Sequence, residues 1–507
     1  MMKNTVSRRA LLSTALFAGA IAATGLPTRL WAQANDTLRI AAVGSTVDSL
    51  DPHRTKGQTI DIIRYCNLFD GLTEFAPDGS VQLSLAEKIE PGADATEWTV
   101  TLRPGIQMHD GSTFTASDVL ASVRRILDPE NPTKGAGLID FIDPAQIEVV
   151  DDLTLVFHLA APYGPFADIW ANRYLRMVPE GFDPARPVGT GAYKLSSFTP
   201  GRESVFDAFP AYFRGAPLIG TVVITSIADS AAQMNALRGG QIDVAYDMPM
   251  AEARVVDADP SLMLLRNPTN LSIPIFMRAD QPPFDDPRVR KAFKLIVDRE
   301  QMVKIALAGY GEIGNDMQSR GGIAGCGEAQ VPQRVQDIAA AKALLAEAGY
   351  ADGLEVEMAT TAGTTGMVEC CQVFAEQAKA AGVTVKVQNL EQSAFLSKYM
   401  QWTFGSDFLI GTFLPNARRS LLPDGTFNTA HWNNAEFNAL FEQAVATSDL
   451  AARCEIMNKM REIEYEDGAN IIWGFADTLN AVSARVQGLE PYPVDSAFLS
   501  LRKLSLA

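Results

Sequence analysis

With 507 residues, 47% of them hydrophobic and 20% charged, the chain has an ordinary globular composition and is too long for a single core, so two or three domains are expected. Its 60 acidic against 43 basic residues give a net charge of −17, which excludes phosphate-rich partners such as nucleic acid and disfavours anionic membrane surfaces. Five cysteines is an odd number, so at least one thiol has no partner within the chain, and the spacing implies no particular bridge.

The first residues do not belong to a fold. Ser7-Arg8-Arg9 precedes an uncharged run, Ala10 to Thr24, rich in Ala and Leu, and Ala32-Gln33-Ala34 follows as a small-x-small site. This is the pattern of a cleaved export signal, and the arginine pair resembles a twin-arginine signal. The run is short of the roughly 20 apolar residues of a spanning helix, and Gly19, Gly25 and Pro27 interrupt it. The mature chain is expected to start at Asn35, with signal residues 1–34 removed. Their loss takes away Lys3, Arg8, Arg9 and Arg29 and no acid, leaving a net charge of −21.

Leu38 to Val43 reads as a first strand, followed by the loop Thr46-Val-Asp-Ser-Leu-Asp-Pro-His53. Ile62, Ile63, Cys66 and Phe69 have helical spacing within Ile60–Leu72. Trp98, Val100 and Leu102 alternate as a half-buried strand, and Pro104-Gly105 and Asp110-Gly111 are turns. Thr115 and Asp118 have capping-box spacing, so a helix should start there with Val119, Val123 and Ile126 on its buried face. Leu153 to Leu159 alternates as a strand, and Pro187-Val-Gly-Thr-Gly-Ala-Tyr193 reads as a tight link before a strand through Gly239–Val244. Further on, Asp286-Pro287 and Asp337 open helices, the second ended by Gly349. Leu354–Met358, a helix over 366–381 and Val383–Val387 follow in βαβ order, which predicts an α/β lobe with a parallel sheet.

The run from Glu97 to Val119, with its Trp98, Arg103-Pro-Gly105 and His109-Asp-Gly111, resembles the signature of the large solute-binding proteins of the peptide/opine/nickel ABC-importer family. Ser49-Leu-Asp-Pro52, Phe69-Asp-Gly-Leu72, Leu83-Ser-Leu-Ala-Glu87 (Leu83 standing for the family's proline) and Pro187–Tyr193 match further motifs in order, so the resemblance covers nearly all of 36–507. It implies an α/β, two-lobed periplasmic binding protein of class II-like, cluster C type, with an extra domain inserted in the first lobe. The implied division is lobe I at 35–63, 186–275 and 477–507, the inserted domain at 64–185, and lobe II at 276–476. It also implies a periplasmic, monomeric protein that captures a small peptide-like or opine-like solute and hands it to ABC permease subunits. A nickel-chelate or haem carrier of the same fold is the alternative, for which His431 and scattered methionines are the hints.

Enzymatic chemistry finds no constellation. The four histidines, His53, His109, His158 and His431, are not in metal-ligand spacing, and there is no nucleophile elbow or phosphate-cradling loop. No catalytic residue, cofactor or metal site is expected, and a secreted hydrolase would need one of these sets.

The resemblance also marks segments that touch ligand. Lys56, Gly57 and Gln58 match a first-lobe ligand loop, and Arg278 replaces a residue that is usually Asn just after the lobe crossover. In Asp407–Asn416, Phe413 takes a tryptophan position, and Asn416 takes that of an aspartate that pairs with a peptide's ammonium group. Asn cannot supply that charge. Arg418 and Arg419 follow and suit a carboxylate in a bidentate fork, or else lie on a solvated loop. His431, Trp432, Trp473 and Phe475 either line the same cleft or pack the hinge.

Overall fold

A computed structural model describes residues 36–507 except 56–57, 321–325, 328 and 493–496. The expected export signal, the start at Asn35, and Lys56 and Gly57 lie outside the described residues. Each of three larger sheets carries its own core.

The first sheet is eight-stranded and centres on Thr37–Ala42, which pairs in parallel with Thr221–Ser226 and with Val244–Ala245. Leu38 and Ile40 point into a core with Tyr65 and Phe69, because helix Thr59–Leu68 lies across this face. The helix stops at Leu68, short of Leu72, since Phe69 turns extended. The strand expected through Gly239–Val244 is reduced to Val244–Ala245. Gly239 ends helix Ser230–Arg238, and Gly240, at φ 65°, takes a left-handed turn that interrupts the run.

Two long antiparallel strands, Leu262–Ser272 and Gly474–Ser483, form one flank of this sheet. Directly beyond Ser272 and before Gly474 the chain joins a second, five-stranded sheet through Ile275–Met277 and Asn470–Ile471. Here Leu354–Thr361 and Val383–Leu390 pair in parallel over their whole length, with helix Met367–Lys379 between them in sequence. The sheet is mixed, however, because Ile275–Met277 runs antiparallel to both its neighbours. Asp286 and Asp337 cap their helices as expected, each carboxylate accepting a backbone N–H of the first turn.

The third sheet is four-stranded and antiparallel, with Glu97–Leu102 paired to Ala86–Pro91 and Thr154–His158. Thr115 and Asp118 form the capping box of helix Ala116–Ile126, whose Val119, Val123 and Ile126 join Trp98 and Val100 in the core. His109 ties this domain to the first sheet. Gly189 N–H donates to its Nδ1 (3.2 Å), so Nε2 carries the proton and donates to Gly191 O (2.9 Å). Burial holds its pKa down to about 4, and the ring is a structural bracket. The glycines are required for close approach: a Cβ at Gly189 would lie 2.2 Å from Leu68 O, and one at Gly191 2.3 Å from Asn67 O.

Cys326 and Cys454 form a disulfide that joins the segment before Gln330 to helix Leu450–Asp467, while Cys66, Cys370 and Cys371 are buried thiols. The bond closes a loop of 128 residues. Reduction should therefore lower unfolding free energy by about 2–5 kcal/mol, chiefly by freeing the unfolded chain. A scanning-calorimetry midpoint unchanged by reductant would contradict this.

Candidate functional site

The two crossing strands join the lobes, and each lobe leaves a few large apolar side chains exposed. Val43 and Val47 are exposed on the first-lobe edge, and Phe408, Ile410 and Phe427 on the second. A cavity of about 810 Å³ opens between the second lobe and the inserted domain. Its floor is helix Phe413–Ser420, and its far wall includes Phe141 and Tyr163, stacked at 3.9 Å.

The inserted domain closes against the second lobe at one edge of this cavity. Gly164 N–H donates to Val445 O (2.6 Å), and Arg453 donates to Asp168 (2.7 Å) and to the carbonyls of Thr447 and Ser448. The approach is so close that a Cβ on Gly164 would lie 1.9 Å from Thr447 O.

Helix Phe413–Ser420 is amphipathic. Phe413, Leu414 and Ala417 pack on Phe437, Phe441 and Met460, which leaves the two arginines on its outer side. Those arginines differ. Both line the cavity, but Arg418 is exposed and paired with Asp424 at 2.7 Å, an ion pair worth little in water. Arg419 is half-buried and lines the cavity, and its Nη2 donates only to neutral oxygens, Asn416 Oδ1 (2.7 Å) and Ile410 O (3.2 Å). Its guanidinium lies 5.6 Å from the Phe427 ring centre, and its buried Nε has no acceptor. Among the described residues no carboxylate pairs with it, and desolvation pulls its pKa below the ordinary value. Fully buried Asn416, standing where the resemblance puts an acid, orients this cation without neutralising it. Asn270, on the first crossing strand, donates to Gly411 O and so ties this loop to the hinge.

The remaining expected residues are spread apart. Gln58 precedes helix Thr59–Leu68 and donates to Ser45 Oγ (2.9 Å) on the first-lobe edge. Phe413 lines the cavity beneath Arg461. Arg278 and His431 lie together outside it: Arg278 is bidentate to Asp280 (2.7 and 2.8 Å), and the His431 ring meets Asp280 and Met400 O. Their polar groups are already engaged within the second lobe. Trp432 is buried with its Nε1–H on Asp467 (3.0 Å), and Trp473 is wholly inside the second-lobe core. Phe475 is buried on the second crossing strand, its ring 6.0 Å from the Arg320 guanidinium. His53 is buried between Arg125 Nη1 (2.9 Å) and Arg176 O (2.7 Å), and burial lowers its pKa to about 4. Among the described residues no group of three His, Cys, Asp or Glu is placed to hold a metal ion.

One residue beside the second crossing strand was not singled out by the sequence. Asp247 follows the short strand Val244–Ala245 at φ 55°, and its N–H donates to Asn480 Oδ1 (2.9 Å) on the second crossing strand. The signal that could have found it is its place just past the carboxyl end of a parallel strand, where open α/β sheets bind ligands.

Comparison with known proteins agrees with this architecture. The sequence profile of the bacterial extracellular solute-binding proteins, family 5 (middle region), matches residues 80–416. A protein of Pectobacterium atrosepticum named glutathione-binding protein GsiB is 26% identical, over 97% of this chain and 96% of its own. The agropinic acid complex of the binding protein AgaA from A. tumefaciens R10 is 26% identical, with a TM-score of 0.73 over 93% of this chain and 99% of that one. The substrate-binding protein CtaP of Listeria monocytogenes shares the fold, with 23% identity and a TM-score of 0.81 over 93% of this chain and 99% of its own.

Proposed function

The chain belongs to the bacterial extracellular solute-binding proteins of family 5, and on that footing we propose that it captures a small peptide-like or opine-like acid through Arg419. It is the substrate-binding component of an ABC importer, not an enzyme, and its family works in the periplasm. The observation that carries the ligand class is the cavity-lining guanidinium with only neutral acceptors. A desolvated cation of this kind gains most from a carboxylate that enters the cavity with its own partner missing. The aromatic wall of Phe141 and Tyr163 would take an apolar part of the same solute. The compounds named for two of the proteins above, glutathione and agropinic acid, are both small acids, which supports this reading.

Closure follows from contact on both walls, because a solute held from two lobes favours the state that touches it twice. The permease then takes the closed form. Residues 1–34 act as a cleaved, twin-arginine-type export signal, and the mature protein works as a monomer. Native mass spectrometry of freshly purified, exported protein is the test. The expected result is a monomer beginning at Asn35 that carries a small acid. Adding that acid at ~100 times its Kd should stabilise the protein by about 2.7 kcal/mol. No stabilisation by any peptide, opine or amino-acid conjugate would overturn the ligand class.

A further inference from the structure

The cavity between the inserted domain and the second lobe is larger than a small acid needs. At about 810 Å³ it lies near the top of the range that encloses a drug-sized ligand. Arg419 holds one place on its wall, and the rest is mostly apolar: Leu138, Phe141, Tyr163 and Ile169 on the inserted domain, Phe441 and Met457 on the second lobe. The wall is firmly built. Phe141 and Tyr163 stack on each other, and Cys326, bonded to Cys454, lines the cavity with its Sγ 4.0 Å from Met457 Sδ.

Other charge on that wall is either paired or solvated. Arg453 is held by Asp168 and Arg418 by Asp424, while Asp140 and Glu442 are exposed. One edge is sealed, because the Gly164–Val445 hydrogen bond and the Arg453–Asp168 pair bring the two bodies into contact there. A carboxylate at Arg419 therefore leaves most of the cavity to a group that needs no hydrogen bonds. Water in that space would lie against apolar surface, and displacing it is favourable in proportion to the area covered. A polar opine or a glycine-rich dipeptide would cover little of it.

We propose that this cavity is an acyl-binding site: the solute is an amphipathic acid with its carboxylate at Arg419 and an extended apolar tail, of the kind an N-acyl amino acid carries, between the inserted domain and the second lobe. The inference rests on Arg419 as the anchor of the acid and assigns the remaining space to the tail. The tail touches both bodies, so it favours their contact at Gly164 and Val445, whereas the head alone touches only the second lobe.

The test titrates the mature protein, stripped of solute by reversible unfolding, with a series of acylglycines from acetylglycine to decanoylglycine in a calorimeter. Affinity should rise about fourfold with each added methylene, the scale of apolar burial, until the tail reaches the sealed edge and the series levels off. I169W, which narrows the cavity, should bring that plateau to a shorter tail. R419Q should weaken every member by about tenfold or more, and decanoylglycinamide, which lacks the carboxylate, should bind wild type more weakly by the same scale. Decanoate tells two sources of such a tail apart: binding tighter than decanoylglycine assigns a free fatty acid, weaker binding an acylated amino acid. An affinity that stays flat along the wild-type series would overturn the acyl site and leave Arg419 as an anchor for small acids. Equal binding of decanoylglycine and its amide would overturn the pairing of head with tail. Binding of no member at all would remove the anchor itself, and the acyl site with it. The wild-type series depends on no variant, so a misfolded substitution leaves it standing.

Discussion

Replacing Asp316 with alanine is expected to destabilise the second lobe by about 3–5 kcal/mol, the cost of leaving buried charge uncompensated. Asp316 is fully buried, and its Oδ2 accepts from Arg299 Nη2 and Arg334 Nε, both at 2.7 Å. Both arginines are themselves buried, so the variant would strand two guanidinium groups inside the fold. The effect should extend to the site. The segment after Asp316 supplies Gln318, whose N–H donates to the buried Glu464 (2.9 Å) and whose Oε1 accepts from Ser420 Oγ (2.9 Å) at the end of the arginine-bearing helix. The same segment supplies the Arg320 N–H, which donates to Asn270 Oδ1 (2.9 Å) at the hinge. Denaturant unfolding followed by tryptophan fluorescence reads the result, since Trp432 and Trp473 both lie in second-lobe cores. A change below ~1 kcal/mol would mean that water reaches both arginines and replaces the carboxylate.

The second large effect is on binding alone. R419Q should weaken an acidic solute by about 1.5–3 kcal/mol, roughly 10- to 150-fold in Kd, as for loss of a charged hydrogen bond. Glutamine keeps a donor near Asn416 and removes the charge, and among the described residues the arginine has no carboxylate partner to be orphaned. Thermal stability should therefore be nearly unchanged or slightly higher, because a desolvated cation has been taken away. R418Q is the control: Arg418 is exposed and paired with Asp424, so its loss should alter affinity little. Isothermal calorimetry with the solute recovered from the native protein gives both numbers. Equal losses in the two variants would assign the effect to general positive charge on the helix.

Much of the local structure was legible because it depends on residues close in sequence. The capping box at Thr115 and Asp118 and the aspartate caps of helices Pro287–Ile296 and Ile338–Glu347 are each set within one helical turn. The shortened strand at Val244 shows the limit even there, since the pair Gly239-Gly240 can end a helix as readily as precede a strand. For the site, Phe413, Asn416 and the arginine pair were named from sequence, but their ranking was not. Adjacent residues on a helix point about 100° apart, so Arg418 and Arg419, which both line the cavity, differ in burial and in counter-charge in a way that only the packing of Phe413 and Ala417 decides. Arg278 and His431 looked available for a ligand because Asp280 and Met400 O become their partners only through tertiary contact.

The sequence by itself determined the class of machine: an α/β chain with ordered family motifs, an acidic surface and no catalytic set. Those properties reside in composition and in short runs, and a linear reading reaches them. Tertiary structure alone decided that Cys326 bonds Cys454 across 128 residues, that Arg419 has no counter-charge among the described residues, and that Asp247 stands beside the second crossing strand. Each of these depends on which distant groups are brought near and which are kept away. Desolvation and charge pairing are properties of that three-dimensional neighbourhood, so two identical residue types one position apart can differ in whether a counter-charge is at hand.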